Sequence, residues 1–295
     1  VPDIAFVNGW IGPLRQARIS IQDRAFVFGD GAYEVIRAYG GSPFMLDAHV
    51  QRLQASLRGL ELALPISEAR FVRLIGDLLS RSGHAEARIY VQVTRGIGRR
   101  EHVFPERVRP TLVVYVDRAH AVPARRRAAG DHAITLPDAR WAHCHLKSLQ
   151  LLPNVLAREA ARRRGATEAI LIGPGGWVRE GAASNVFIVR AGALQTHPLG
   201  PEILPGVSRA IVLDLAGRAG IPVRERRFKS DALFAADEVL LSGTMLEIMP
   251  VVRIDGKRIG AGRPGPVARR LATDFQALRS AAAPSRRATR RSLRG

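Results

Sequence analysis

The segment Trp141 to Glu159, WAHCHLKSLQLLPNVLARE, sets one primary amine, Lys147, in apolar and lightly charged surroundings. The chain has 45 Lys plus Arg, yet its only lysines are Lys147, Lys229 and Lys257. Arginine serves wherever a cation merely has to be basic. A retained lysine points to an amine that can lose its proton and attack a carbonyl, which guanidinium cannot do. Lys257 has a structural use in the expected turn Ile254-Asp255-Gly256-Lys257, and Lys229 follows a charged run. Three later features suit a phosphate-bearing aromatic aldehyde as the amine's partner. Gly206-Val207-Ser208 opens an expected helix, where free N–H groups, the positive dipole end and a hydroxyl can hold a dianion. Ser242-Gly243-Thr244 follows an expected buried strand and offers further donors. Glu180, in Trp177-Val178-Arg179-Glu180-Gly181, is a carboxylate that could keep a pyridine nitrogen protonated and so make the ring an electron sink. Arg52 is a further candidate phosphate ligand. Each feature also has a structural reading: a common helix start, a polar strand end, a solvated turn acid, a surface arginine.

These residues need elements to carry them. Residues 4 to 10 and Arg24 to Phe28 read as strands before the turn Gly29-Asp30-Gly31, and Tyr33 to Tyr39 as a strand turning at Gly40-Gly41 into Pro43 to Leu46. Asp47 is expected to cap a helix with Val50, Leu53, Leu57 and Leu60 on one face, and Ser67 a second helix ended by Gly83. Arg88 to Thr94 and Thr111 to Asp117 complete a small α+β domain, residues 1–120. AVPARRRAAGD, residues 121–131, reads as a linker. A larger domain follows over residues 132–282, with helices at Leu152 to Arg164, Ser208 to Ala219 and Gly265 to Arg279. Its expected strands are His132 to Leu136, Glu168 to Ile172, Asn185 to Val189, Glu238 to Ser242 and Pro250 to Ile254. Residues 283–295 are a basic tail expected to be disordered.

Composition narrows the function classes. Hydrophobic residues make up 46% and charged residues 24%, as in ordinary globular proteins. No run approaches a membrane span, and the first residues lack the pattern of a signal peptide. Cys144 stands alone, which excludes an internal disulfide and suits a reducing cytoplasm. The net charge of +19 raises a nucleic-acid reading. The last eleven residues hold five arginines and no acid, leaving +14 scattered over the body. With no aromatic and basic interleaving, nucleic acid is not the expected partner; with no zinc spacing, no metal is expected.

In order and spacing the chain resembles the fold-type IV pyridoxal-phosphate enzymes, and most of all bacterial D-amino-acid aminotransferases. The resemblance is carried by Asp23-Arg24, Phe28-Gly29-Asp30-Gly31, Tyr33-Glu34-Val35, His49-Val50-Gln51-Arg52-Leu53 and Val93-Thr94-Arg95-Gly96. It continues through Lys147-Ser148-Leu149, Asn154-Val155-Leu156-Ala157, Glu180-Gly181, Ser184-Asn185-Val186-Phe187 and Leu204-Pro205-Gly206-Val207-Ser208-Arg209. It implies a two-domain α/β (α+β) fold, with a small N-terminal domain and a larger domain with a β-barrel-like core. Pyridoxal 5'-phosphate is the implied cofactor, bonded by Lys147, which then moves the substrate proton. Glu180 is the implied partner of the pyridine nitrogen. Arg52, Val207, Ser208 and Thr244 are implied at the phosphate, and Leu204 against the ring. The D-specific enzymes often carry a hydroxyl residue where this chain has Gly243.

Arg100 and His102 match the Arg-x-His element that, with a tyrosine matching Tyr33, binds the substrate carboxylate in that group; a guanidinium can take a carboxylate with two bonds. The resemblance also implies a homodimer whose subunits share their active sites. The implied reaction passes the amino group of a D-amino acid to 2-oxoglutarate or pyruvate. Branched-chain L-amino-acid aminotransferase, R-selective amine transaminase and aminodeoxychorismate lyase are alternatives on the same scaffold. A nucleic-acid-binding protein on an inactive scaffold is a remote one.

Overall fold

The computed structural model describes residues 3–107 and 109–282; the basic tail, residues 283–295, lies outside them. The chain divides into two units. One takes the chain through His120, with Lys147–Leu149 and the residues from Ala277 on; the other holds Ala121–Leu146 and Gln150–Gln276.

The first unit runs β1 (Ile4–Val7), β2 (Trp10–Pro13), α1 (Arg24–Phe28), β3 (Gly31–Tyr39), β4 (Ser42–Pro43), α2 (Leu46–Gly59), α3 (Glu68–Ser82), β5 (Ala87–Thr94) and β6 (Thr111–Arg118). Its sheet has the order β2-β1-β6-β5-β3-β4, antiparallel throughout. One face packs on α2 and α3: Ala32, Ile36 and Ala38 of β3 meet Val50, Leu53 and Leu57 of α2 and Phe71, Ile75 and Leu78 of α3. Burying each such large side chain contributes about 1.5–3 kcal/mol. The helix α3 starts and stops where its sequence says, with Ser67 Oγ accepting from Arg70 N–H and Gly83 left-handed at φ 61°.

Several local expectations change: the strand expected over residues 4 to 10 ends at Val7 and turns at Asn8-Gly9 into β2, and the one expected over Pro43 to Leu46 ends at Pro43, with Leu46 already in α2. Arg24 to Phe28 is a helical turn and not a strand: Asp23 accepts the Ala25 N–H at 2.9 Å, and Gly29 ends the turn at φ 65°. Two caps outweigh the aromatic and branched composition. Asp47 lies in the first turn of α2, and the capping position belongs to Met45 at φ 54°.

The second unit runs α4 (Ala124–Ala129), β7 (Asp131–Pro137), α5 (Leu152–Arg163), β8 (Glu168–Ile172), β9 (Val178–Gly181), β10 (Asn185–Arg190) and β11 (Ala193–Thr196). It continues through α6 (Val207–Arg218), β12 (Val223–Glu225), α7 (Ser230–Phe234), β13 (Glu238–Gly243), β14 (Glu247–Ile254), β15 (Lys257–Arg258) and α8 (Pro266–Ala282). Its sheet follows the path β12-β11-β10-β13-β14-β7-β8-β9, with β15 beside β14. The sheet curls so that β9 also lies beside β10. The parallel neighbours β7 and β8 are joined through α5, as a parallel pair requires. Val186 and Ile188, Val239 and Leu241, and Met249 and Val251 form the core of the curl with Phe228 and Leu233. The segment read as a linker contains α4, pinned by Arg126 to Asp131 and by Arg127 to Glu247. Among the described residues no helix is long and apolar enough to cross a membrane.

Candidate active site

In the first unit Lys147–Leu149 adds a short pairing segment to the free edge of β3. Tyr33 N–H donates to Lys147 O at 3.0 Å, Leu149 N–H donates to Gly31 O at 3.0 Å, and Ala32 faces Ser148. Lys147 N–H is taken by Ser56 Oγ of α2 at 3.0 Å, so its backbone is fixed from two elements. The half-buried side chain places Nζ 4.2 Å from the centroid of the Tyr33 ring. Tyr33 in turn stacks on Tyr90, and Tyr90 on Tyr115, with centroids 5.8 and 4.8 Å apart on adjacent strands. Two residues expected at one site, Lys147 and Tyr33, are thus brought together.

Arg52 lies on the buried face of α2 against a residue that sequence reasoning did not assign. Glu34, on the core face of β3, accepts from Arg52 Nε at 2.7 Å and Nη2 at 2.8 Å, and pairs with His49 Nδ1 at 2.9 Å. Burial opposes the charge on Glu34. The Arg52 guanidinium and the bonds from Arg52 and His49 outweigh it and hold the carboxyl down at about 2. Burial lowers His49 below its ordinary value, with Glu34 acting the other way, so His49 is neutral near pH 7. The spacing Glu34, His49, Arg52 carries no local pattern; only the pairing of β3 with α2 reveals the cluster.

Arg100 and His102 are exposed and gather on Phe28, the last residue of α1. The Arg100 guanidinium lies 5.7 Å from that ring's centroid, and the His102 ring 5.5 Å away, tilted at 45°.

In the second unit Glu180, on β9, is 4% exposed and held from several directions. It accepts from Arg140 Nη1 in a short bond, from Asn185 Nδ2 at 3.0 Å, and from Leu204 N–H at 3.1 and 3.0 Å to its two oxygens. Arg140 is itself clasped by both oxygens of Asp138, each at 2.9 Å. Burial pushes the Glu180 carboxyl up to about 7, against the pull of Arg140 and the Leu204 N–H. It sits at the edge of ionisation near neutral pH, and a further positively charged N–H would favour its charged form. Arg140, like Glu34, was not assigned from sequence. Its only local signal is Asp138 two residues earlier.

Asn185 ties Glu180 to Leu204, because its Nδ2 also donates to Leu204 O at 2.9 Å. A Cβ at Gly206 would run into Asn185 Oδ1, so glycine is required before α6. No side chain caps α6, and its first residues, Val207 and Ser208, are buried. Ser242 pairs with Asn185 across β13 and β10, so their side chains share a face. Ser242 Oγ is buried without a hydrogen-bond partner. Thr244, half-buried, opens the turn to β14. Gly181 is likewise required, since a Cβ would strike Ser184 Oγ, which donates to Glu168 at 2.9 Å. Cys144, buried, donates its S–H to Trp141 O at 3.1 Å, and burial pushes its thiol up to about 11.

A curled mixed sheet with an antiparallel α+β unit is an architecture shared with solved transaminases. The chain is similar to the T.th. branched-chain amino acid aminotransferase with pyridoxamine 5'-phosphate, with TM-score 0.86 and 28% identity over 95% of each chain. It is similar also to the branched-chain enzyme of Escherichia coli, with TM-score 0.88 and 27% identity over 97% of each. Residues 31–254 match the model of amino-transferase class IV, and the chain belongs to that family. Among named relatives it is 39% identical to a D-alanine aminotransferase of Staphylococcus haemolyticus, over 92% of this chain and 95% of that one. It is 40% identical to one of Listeria monocytogenes, over 90% and 92%. The protein is a transaminase of fold type IV that uses pyridoxal phosphate.

Proposed function

We propose that this transaminase takes its amino group from D-amino acids and delivers it to a 2-oxo acid, 2-oxoglutarate or pyruvate, yielding D-glutamate or D-alanine. The observation that carries the reading is the Arg100-x-His102 pair set on Phe28, in a chain whose relatives at 37–40% identity are named D-alanine aminotransferases. The bound cofactor supplies an electron sink for the charge left when the substrate's α-proton departs. The donor set fits it. Glu180 is a buried carboxylate for a ring nitrogen, and the uncapped start of α6 with the orphaned Ser242 hydroxyl suits a phosphate.

In this reading Lys147 Nζ would hold the cofactor through its aldehyde and, with its amine free, would take the substrate's α-proton and return it. Glu180, braced by Arg140 and Asn185, partners the pyridine nitrogen. Leu204, fixed through its own N–H and C=O, packs on the ring. Val207, Ser208, Thr244 and Arg52 hold the phosphate, with Glu34 orienting Arg52. Arg100, His102 and Tyr33 take the substrate carboxylate.

The same reading makes the working unit a homodimer with shared active sites. Ile21 and Phe26 are 76% and 75% exposed, and Ile97, Val103 and Phe104 stand exposed in the arginine loop. A set of large apolar side chains on one short region suits a second copy of the chain. We place the domain boundaries at 120 and 132 and the protein in the cytoplasm, in keeping with its lone, buried thiol.

The test is the absorbance of the purified protein with added pyridoxal phosphate, before and after D-alanine or L-leucine. D-alanine alone should bleach the visible band of the bound cofactor, and Lys147→Ala should abolish turnover. Bleaching by L-leucine alone would move the protein to the branched-chain reading. Failure to take up the cofactor would overturn the assignment of the site.

A further inference from the structure

The loop that carries Arg100 and His102 is clamped at its ends and its middle. At its start Arg95, 5% exposed, donates to Asp30 and caps the end of α2 through Leu60 O at 2.6 Å and Glu61 O at 3.1 Å. At its far end Phe104 lies on that guanidinium, with the Arg95 Cζ 3.5 Å from the ring centroid. In the middle Arg24 Nη1 donates to Glu101 O at 2.7 Å, between the two recognition residues. Arg24 is held by Asp30 through Nε at 2.8 Å, so one carboxylate anchors both Arg24 and Arg95. The Arg24 guanidinium also lies 4.7 Å from the Phe28 centroid. Phe28 therefore meets Arg24, Arg100 and His102 at once. Its place is set by the turn α1, fixed by the Asp23 cap and by Gly29.

We propose that Phe28 is a positioning residue for substrate recognition: its ring orients Arg100 and His102, which Arg24 brings to it through Glu101 O. The proposal rests on the reading that Arg100 and His102 bind the substrate carboxylate. The physics is that of two mobile polar side chains in solvent. Unsupported, each samples many rotamers, and the carboxylate must order them on binding. Held against a ring face and edge, they meet the carboxylate already arranged. The carboxylate is held equally in the bound substrate and in the transition state, so the gain is one of uniform binding: KM changes and kcat changes little.

The experiment compares Phe28→Leu, Phe28→Tyr, Arg100→Ala and the double variant Phe28→Leu with Arg100→Ala, all as holoenzyme. Phe28→Leu should raise KM for D-alanine about fivefold to tenfold with kcat within about twofold, the scale expected for losing cation–ring contacts. Phe28→Tyr, which keeps the ring, should restore KM. The double variant should be no worse than Arg100→Ala alone, because the platform then has nothing to position. Equilibrium binding of acetate, followed by the change in cofactor absorbance, should weaken in parallel, and turnover of a primary amine lacking a carboxylate should not change. Additive effects, or equal losses with the carboxylate-free amine, would overturn the proposal. If Arg100→Ala itself leaves KM unchanged, the carboxylate reading fails instead.

Discussion

Glu34→Gln tests whether the buried carboxylate between β3 and α2 is the counter-charge that holds Arg52. Glu34 is 1% exposed and its partners are Arg52 and His49. Its carboxyl lies at about 2 against an ordinary 4.5, a gap worth about 3 kcal/mol once it is ionised. Removing one member of a buried pair costs about 3–5 kcal/mol by an independent route, since the guanidinium loses its buried counter-charge. Glutamine keeps one hydrogen bond, so about 3 kcal/mol is expected at pH 7, a drop of roughly 10 °C in melting for a unit of this size. Because the folded carboxyl is depressed, its contribution is complete above pH 4.5 and fades as pH falls through 2, with about half left at pH 3. Denaturant unfolding of wild type and variant at pH 7 and pH 3 reads this directly. The deficit of the variant should shrink by about half between the two. A deficit that is absent at pH 7, or that stays constant down to pH 3, would refute the argument.

Glu180→Gln should lose pyridoxal-phosphate transamination by at least about a hundredfold, measured as D-alanine turnover, because a neutral amide cannot favour a protonated ring nitrogen. Its pH dependence runs opposite to that of Glu34. A carboxyl raised to about 7 destabilises the fold as pH rises from 4.5 through 7, so without cofactor the wild type should lose stability relative to Glu180→Gln over that window. Thermal melts at pH 5 and pH 8 check the sign. Gly206→Ala should cost about 1–3 kcal/mol, since its Cβ meets Asn185 Oδ1 and disturbs the bridge to Glu180 and Leu204. Gly243→Ser is the contrast: a Cβ there has no neighbour nearer than Ala183 O at 3.4 Å, so its melting point should stay close to that of wild type.

The sequence was readable where a residue's job is local, and opaque where it depends on a distant partner. Glycine and serine marked the ends of α3, and the turn before Lys257 forms as expected with Asp255 and Gly256 at φ 49° and 75°. At Arg24 to Phe28 two local signals conflicted. Side-chain composition favoured a strand, and the flanking Asp23 and Gly29, which satisfy backbone groups directly, decided for a helical turn. Arginine abundance produced the deepest blindness. Arg24, Arg95 and Arg140 look like any of the surface arginines, and Arg52 was singled out only as a phosphate ligand, yet each is buried or nearly so and bound to a carboxylate on another element or a neighbouring turn. A guanidinium is excluded from the interior unless its charge and its N–H groups are matched, so burial of an arginine presupposes its acid. The acids were the better guide: Glu34, at a core position of a strand, had no reason to be there unless a cation came to meet it. A carboxylate at a core-facing strand position calls for a cation, and the packing of α2 on β3 is what shows that the cation is Arg52.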